Sequence, residues 1–208
     1  MKKIICALLL LVICFTAVSC GKGSKVEVPD GMKEAYSEED IFYLFIPSSW
    51  TYERGFGMPY AYFSASDTSN VSVMLYIPDD YTETTTTSAE NTTSAEITTL
   101  AEETTLTPEV QNPKAPFINA YWDNFTSEAN ATLQSFDLES FKETTLDNYF
   151  AHDYVYTHQT GGADYKHRAV ITYYAGMIVC FTYSSTAENY DKHIADVDDM
   201  LAHFTFKK

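Results

Sequence analysis

The chain has 208 residues, with 29 acidic against 13 basic side chains and a formal charge of −16. A surface this negative repels phosphate backbones and anionic lipid headgroups, which argues against a nucleic-acid-binding role. Four cysteines do not make a disulfide framework here, because of where they fall along the chain.

The N-terminus reads "MKKIICALLLLVICFTAVSCGKGSK". Lys2 and Lys3 precede an apolar run from Ile4 to Val18, and small residues then lead into Cys20. That order describes a secretory signal peptide over residues 1–19. The run is too short to span a bilayer comfortably, which takes about 20 apolar residues. The sequence "AVSCG" resembles the bacterial lipobox. The resemblance implies a diacylglyceryl thioether on Cys20, cleavage before it, and a chain held on the extracytoplasmic face of the cell membrane. Two acyl chains give firm anchoring where one gives only marginal binding. Cys6 and Cys14 fall in the leader, so only Cys180 is left in the body. It lies within the apolar run "GMIVCFTYSS" and is expected as a buried small hydrophobe. Residues 20–40 are expected as a lipidated cysteine and flexible tether.

Strands are predicted at Ile41–Trp50, Tyr60–Asp67 and Asn70–Asp80, from β-branched and aromatic residues between polar turns. These 40 residues are too few to bury a core alone. Next comes a hexapeptide repeat, with 12 threonines in Thr82–Thr107 and neither a positive charge nor an aromatic ring. Its period fits neither helix nor strand, so a disordered Thr/Glu-rich insert is expected over about 81–112. Lengthening a loop costs little, roughly 0.6 kcal/mol per doubling. A single α+β domain over residues 41–208 can therefore carry it.

After the insert, Ala115–Phe136 is predicted as a helix with Ile118, Tyr121, Phe125 and Ala129 on one stripe. Strands are predicted at Phe141–Leu146, Tyr149–His158, Tyr165–Tyr174 and Met177–Ser184, with "QTGGAD" and "AG" as turns. Tyr190, Ile194, Val197, Leu201 and Phe204 mark a closing amphipathic helix. Antiparallel strands with helices packed on them make an α+β fold. The segments "FYLFIPSSW" and "IVCFTYSSTAENYDKHIADVDDMLAHFTF" resemble the PsbP-like fold of PsbP, DcrB and related bacterial lipoproteins. The resemblance spans roughly Ile41–Phe206, apart from the insert. It implies a binding or assembly role and brings no catalytic signature.

Chemistry-bearing motifs are sparse. "GKGSKV" and "GFGMPY" lack the strand–loop–helix setting of a phosphate cradle and are expected as loops. Neither H-E-x-x-H nor G-x-S-x-G occurs, and no catalytic residue, metal or cofactor is expected. His152 and His158 share a strand face but stand about 20 Å apart, too far to share one ion even with His167 nearby. Asp196, Asp199 and His203 are expected as a solvated helix face. The remaining lead is aromatic. Phe150, His152, Tyr154, Tyr156 and His158 alternate onto one face, either packing beneath a helix or forming a patch for a protein or glycan partner. The expected role is thus a non-catalytic binding or assembly module for an envelope component. The alternative is a small-ligand or glycan-binding lipoprotein that uses the patch of His152, Tyr154, Tyr156 and His158.

Overall fold

The computed structural model describes residues 26–35, 41–55, 58–64, 66–78 and 112–207. The expected leader, the expected lipidation site Cys20 and the Thr-rich repeat lie outside them. In chain order the described elements are β1 (Met32–Ala35), β2 (Phe42–Pro47), β3 (Thr51–Gly55), β4 (Met58–Tyr62), β5 (Asn70–Tyr76) and α1 (Ala115–Thr132). They continue with β6 (Gln134–Leu146), β7 (Tyr149–Thr160), β8 (Ala163–Tyr174), β9 (Met177–Thr186), a single 3₁₀ turn (Tyr190–Lys192), α2 (Ile194–His203) and β10 (Thr205–Phe206).

Seven strands form an antiparallel sheet in the order β3-β4-β5-β9-β8-β7-β6, and β1-β2-β10 form a smaller second sheet. Period-two alternation gives each long strand two apolar faces. On β9, Val179, Phe181 and Tyr183 point one way, into a core with Phe42, Leu44, Ile46, Trp50, Val197 and Met200. Ile178 and Cys180 point the other way and meet Ile118 and Trp122 of α1. The large sheet is therefore the middle layer, with α1 on one face and the small sheet plus α2 on the other. Both helices pack on antiparallel sheets, as the α+β expectation requires.

Three two-residue turns set the register of β6 to β9. Asp147 and Asn148 (φ 46° and 65°), Gly161 and Gly162 (61° and 81°), and Ala175 and Gly176 (48° and 85°) all take positive φ. Left-handed backbone at both turn residues is the hairpin geometry that matches strand twist. The two predicted turns are among the three.

Four expectations need correction. Residues 20–40 are not tether throughout, because β1 pairs with β2 from Met32↔Pro47 to Ala35↔Leu44 and buries Met32 and Ala35. A four-residue strand with two apolar positions falls below any periodicity signal. The predicted loop "GFGMPY" holds strand residues at both ends, with Gly55 of β3 paired to Met58 of β4. The strand predicted at Tyr60–Asp67 is shorter and begins earlier, ending at Tyr62. The first helix stops at Thr132, and the predicted Phe141–Leu146 strand extends back to Gln134. Register shifts at Gln134/Asp137 and Leu138/Ser140 break the alternation there. Ser135 sits at φ 54° beside the first. A bulge moves side chains to the opposite face, so "LQSFDLES" shows no strand period.

Two polar networks tie the layers together. The Trp50 indole N–H donates to Asp196 Oδ2 at 2.7 Å. Asp196 is thus a structural acceptor, which its expected place on a solvated face did not foresee. Arg168 forks onto Asp153 (Nε to Oδ1 3.0 Å, Nη2 to Oδ2 2.9 Å), and its Nη1 reaches Asp198 Oδ1 of α2 at 2.6 Å.

Candidate groove between the first helix and the sheet

The face under α1 holds the predicted aromatic set, and the structure covers most of it. Trp122 stacks on Tyr154 with ring centroids 3.7 Å apart and planes within 7°. Trp122 also lies 5.7 Å from the Tyr156 ring. His152, Tyr154 and Tyr156 are 3%, 4% and 6% exposed. They share one face, as their spacing predicts, but that face is the floor beneath a helix and not an accessible patch. Stacking removes more apolar area than solvent-exposed rings could, so the helix wins the contest for this face. His152 Nδ1 and the Tyr154 hydroxyl share a hydrogen bond of 2.9 Å, and burial holds the imidazole below its usual pKa. Only His158 of the four stays partly open.

His158 belongs to a ladder of rings at the end of the sheet. His158 and His167 stack at 4.8 Å, and His167 and Tyr156 stack at 4.8 Å. His167 Nδ1 shares a hydrogen bond of 2.8 Å with Ser184 Oγ. The two histidines do approach each other, but His152 is not with them. Among the described residues no group of three His, Cys, Asp or Glu side chains is placed to hold a metal.

Burial first, and the neighbouring His158 second, push the pKa of His167 down from 6.5 to about 4. The unfolded chain therefore binds this proton more readily than the native one. The stabilisation is complete above pH 6.5 and is lost as pH falls toward 4. Native stability is expected to drop by roughly 2 kcal/mol between about pH 7 and about pH 4.5 through this group. In His167→Gln, urea melts at the two pH values should differ by that much less. An unchanged pH slope in the variant would show that His167 is not the source.

Helix α1 does not reach across the whole sheet. It covers β7 and β8 but leaves β5 and the residue after it partly bare, with Met74 43%, Tyr76 41% and Ile77 70% exposed. A groove runs along this boundary. Its outer part, about 460 Å³, is lined by Met74 and Tyr76 of β5 and by Tyr121, Asn124, Phe125, Ser127 and Glu128 of α1. An inner part of about 190 Å³ reaches under the helix to Ser72, Tyr156, Cys180 and Thr182. Met74, Tyr121 and Phe125 border both. Tyr76 and Tyr121 face each other at 5.7 Å, and Phe125 packs on Trp122 at 5.2 Å and on Tyr156 at 5.3 Å.

Cys180 is buried and free, as its sequence setting predicts. Burial raises its pKa, so it forms part of the floor and has none of the character of a reactive thiolate. Burial also raises the pKa of Tyr121 far above the phenol range, with Cys180 adding to the effect, so the inner wall is uncharged at neutral pH. Sequence reasoning placed Tyr121 and Phe125 on the buried stripe and missed that β5 leaves them half open. The available signal was an excess of rings. Phe117, Tyr121, Trp122 and Phe125 make a stripe wider than one packing contact needs.

The architecture has counterparts among solved structures. The chain is similar to cyanobacterial PsbP (CyanoP) from Synechocystis sp. PCC 6803, with a TM-score of 0.52 and 14% identity over 91% of this chain and 98% of that one. It is also similar to a Bacteroides thetaiotaomicron protein, with a TM-score of 0.51 and 12% identity over 86% of this chain and 50% of that one. No family model matches the sequence, and no curated protein matches it. At such identities the likeness is one of fold, and that fold is α+β and PsbP-like.

Proposed function

We propose that the chain is an extracytoplasmic lipoprotein, held on the cell membrane by a diacylglyceryl group on Cys20. Its domain acts as a non-catalytic binding or assembly module for an envelope component. The sequence of the leader supports the anchor. The observation that carries the binding role is the open aromatic groove between α1 and β5, where rings that a closed core would cover stand at the surface. Exposed aromatic surface of this kind is costly to maintain without a partner. A second reading, as a small-ligand or glycan-binding lipoprotein, is favoured by the Ser72 and Thr182 hydroxyls beside the rings of the inner groove.

Two experiments test the halves separately. Cys20→Ala is expected to abolish lipid labelling and move the protein from the membrane fraction to the soluble fraction. Retention on membranes would require another attachment. For the groove, a photoreactive residue at Asn124 should cross-link an envelope component in intact cells, and one at Glu188, in the turn after β9, should not. Cross-links at Glu188 alone would place the binding surface elsewhere.

A further inference from the structure

Among the described residues, the lining of the outer groove combines rings with negative charge and holds no lysine or arginine. On α1, Tyr121, Asn124, Phe125 and Glu128 stand at i, i+3, i+4 and i+7, so they form one stripe facing β5. Across from them are Tyr76 and the polarisable thioether of Met74. Elsewhere in the fold, tyrosine rings already carry a cation from the chain itself. Lys114 lies 4.8 Å over Tyr173, Lys166 lies 4.8 Å over Tyr190, and Lys207 lies 4.5 Å over Tyr43. The groove offers the same kind of surface, with Glu128 at its rim, and none of its described lining side chains is a cation.

We propose that this groove is the seat of a trimethylammonium group, the ligand class that a wall of aromatic rings with one carboxylate at its edge recognises. The inference rests on the groove being the ligand-binding surface and names what it binds. A quaternary ammonium sheds its weak hydration shell at little cost, spreads its charge over methyl groups, and is attracted to the negative faces of Tyr76, Tyr121 and Phe125. A primary ammonium is strongly hydrated and would gain less. Glu128 adds long-range attraction without becoming buried, since it remains exposed. The strongly negative charge of the whole chain raises the local concentration of any cation and disfavours anions at the same surface. The outer volume of about 460 Å³ accommodates the cationic head with room beyond it for the rest of a larger molecule.

The test uses choline and dimethylbutanol, its uncharged isostere with carbon in place of nitrogen, titrated against the full chain at fixed ionic strength. Ring signals of Tyr76, Tyr121 and Phe125 are followed by NMR. Choline is expected to shift them with a dissociation constant of order 1 mM, and dimethylbutanol to bind at least about tenfold more weakly. Phe125→Leu should weaken choline about tenfold. Glu128→Gln, a substitution at an exposed site that leaves the fold alone, should weaken it about fivefold. Glu188→Gln should leave it unchanged. Glycerophosphocholine in place of choline identifies the source. Tighter binding points to a lipid headgroup, and equal or weaker binding to a free cation. Equal binding of choline and its isostere overturns the ligand class while leaving the groove as a binding surface. If neither compound shifts the rings, the inference fails, and the Asn124 cross-link alone then decides whether the groove binds anything.

Discussion

Trp50→Ala is expected to destabilise the domain by about 3–5 kcal/mol, a large fraction of the roughly 5–15 kcal/mol that holds a typical domain folded. Trp50 is fully buried among Phe42, Leu44, Ile46 and Val197, and its ring meets Phe63 edge-on at 6.1 Å and His193 at 5.7 Å. Truncation removes this packing and leaves a cavity where the two sheets and α2 meet. It also strips Asp196 of the 2.7 Å indole donor. Trp50→Phe separates the two losses. It keeps most of the ring packing but not the hydrogen bond, so its cost should be markedly smaller than that of the alanine variant. Urea denaturation of both variants reads the difference. A cost under about 1 kcal/mol for Trp50→Ala would mean that the small sheet does not pack as described.

Arg168→Met is the second large effect, expected at about 3–5 kcal/mol. The cause is what it leaves behind. The Asp153 side chain is 3% exposed, and without the guanidinium its charge keeps, among the described residues, Lys142 alone, a mostly exposed lysine 3.3 Å away. An orphaned buried charge costs far more than the ion pair itself contributes. The bond from Arg168 to Asp198 adds little, because Asp198 is 61% exposed and well solvated on its own. The double variant Arg168→Met/Asp153→Leu removes both charges and should recover more than half of the loss. If the double variant were as unstable as the single one, the damage would lie in packing and not in the stranded carboxylate.

The sequence carried much of the fold because its strongest signals are local. Rings and β-branched residues marked the cores of β2, β5, β7, β8 and β9, and the "GG" and "AG" turns named two of the hairpins. The closing stripe found α2, with Val197 and Phe204 buried where it predicts, but Tyr190 falls in the 3₁₀ turn before the helix, and Met200, outside the stripe, is buried where Leu201 is only partly so. What escaped depends on distant partners. The strand β1 exists through its pairing with β2, and β6 begins at Gln134 because β7 holds it there across two bulges. The site was half legible. Alternation put His152, Tyr154, Tyr156 and His158 on one face, but only the path of α1 decides which rings it covers. Local sequence does not fix how far a helix lies from a neighbouring strand. The opening beside Met74 and Tyr76 therefore had no signature along the chain.

The order of the strands in the large sheet implies a sequence of events in folding. Neighbours from β6 through β9 are joined by turns of two residues, so they can zip together with almost no loop to close. The strand β5 must instead find β9 across the intervening chain, pairing Asn70 with Ser184 and Tyr76 with Ile178. That search carries a far larger entropic barrier than any step within the meander. The C-terminal half should therefore form a template first, and the N-terminal strands should dock onto it late. The aromatic trough, built from one wall of each half, would then be among the last features of the native state to appear.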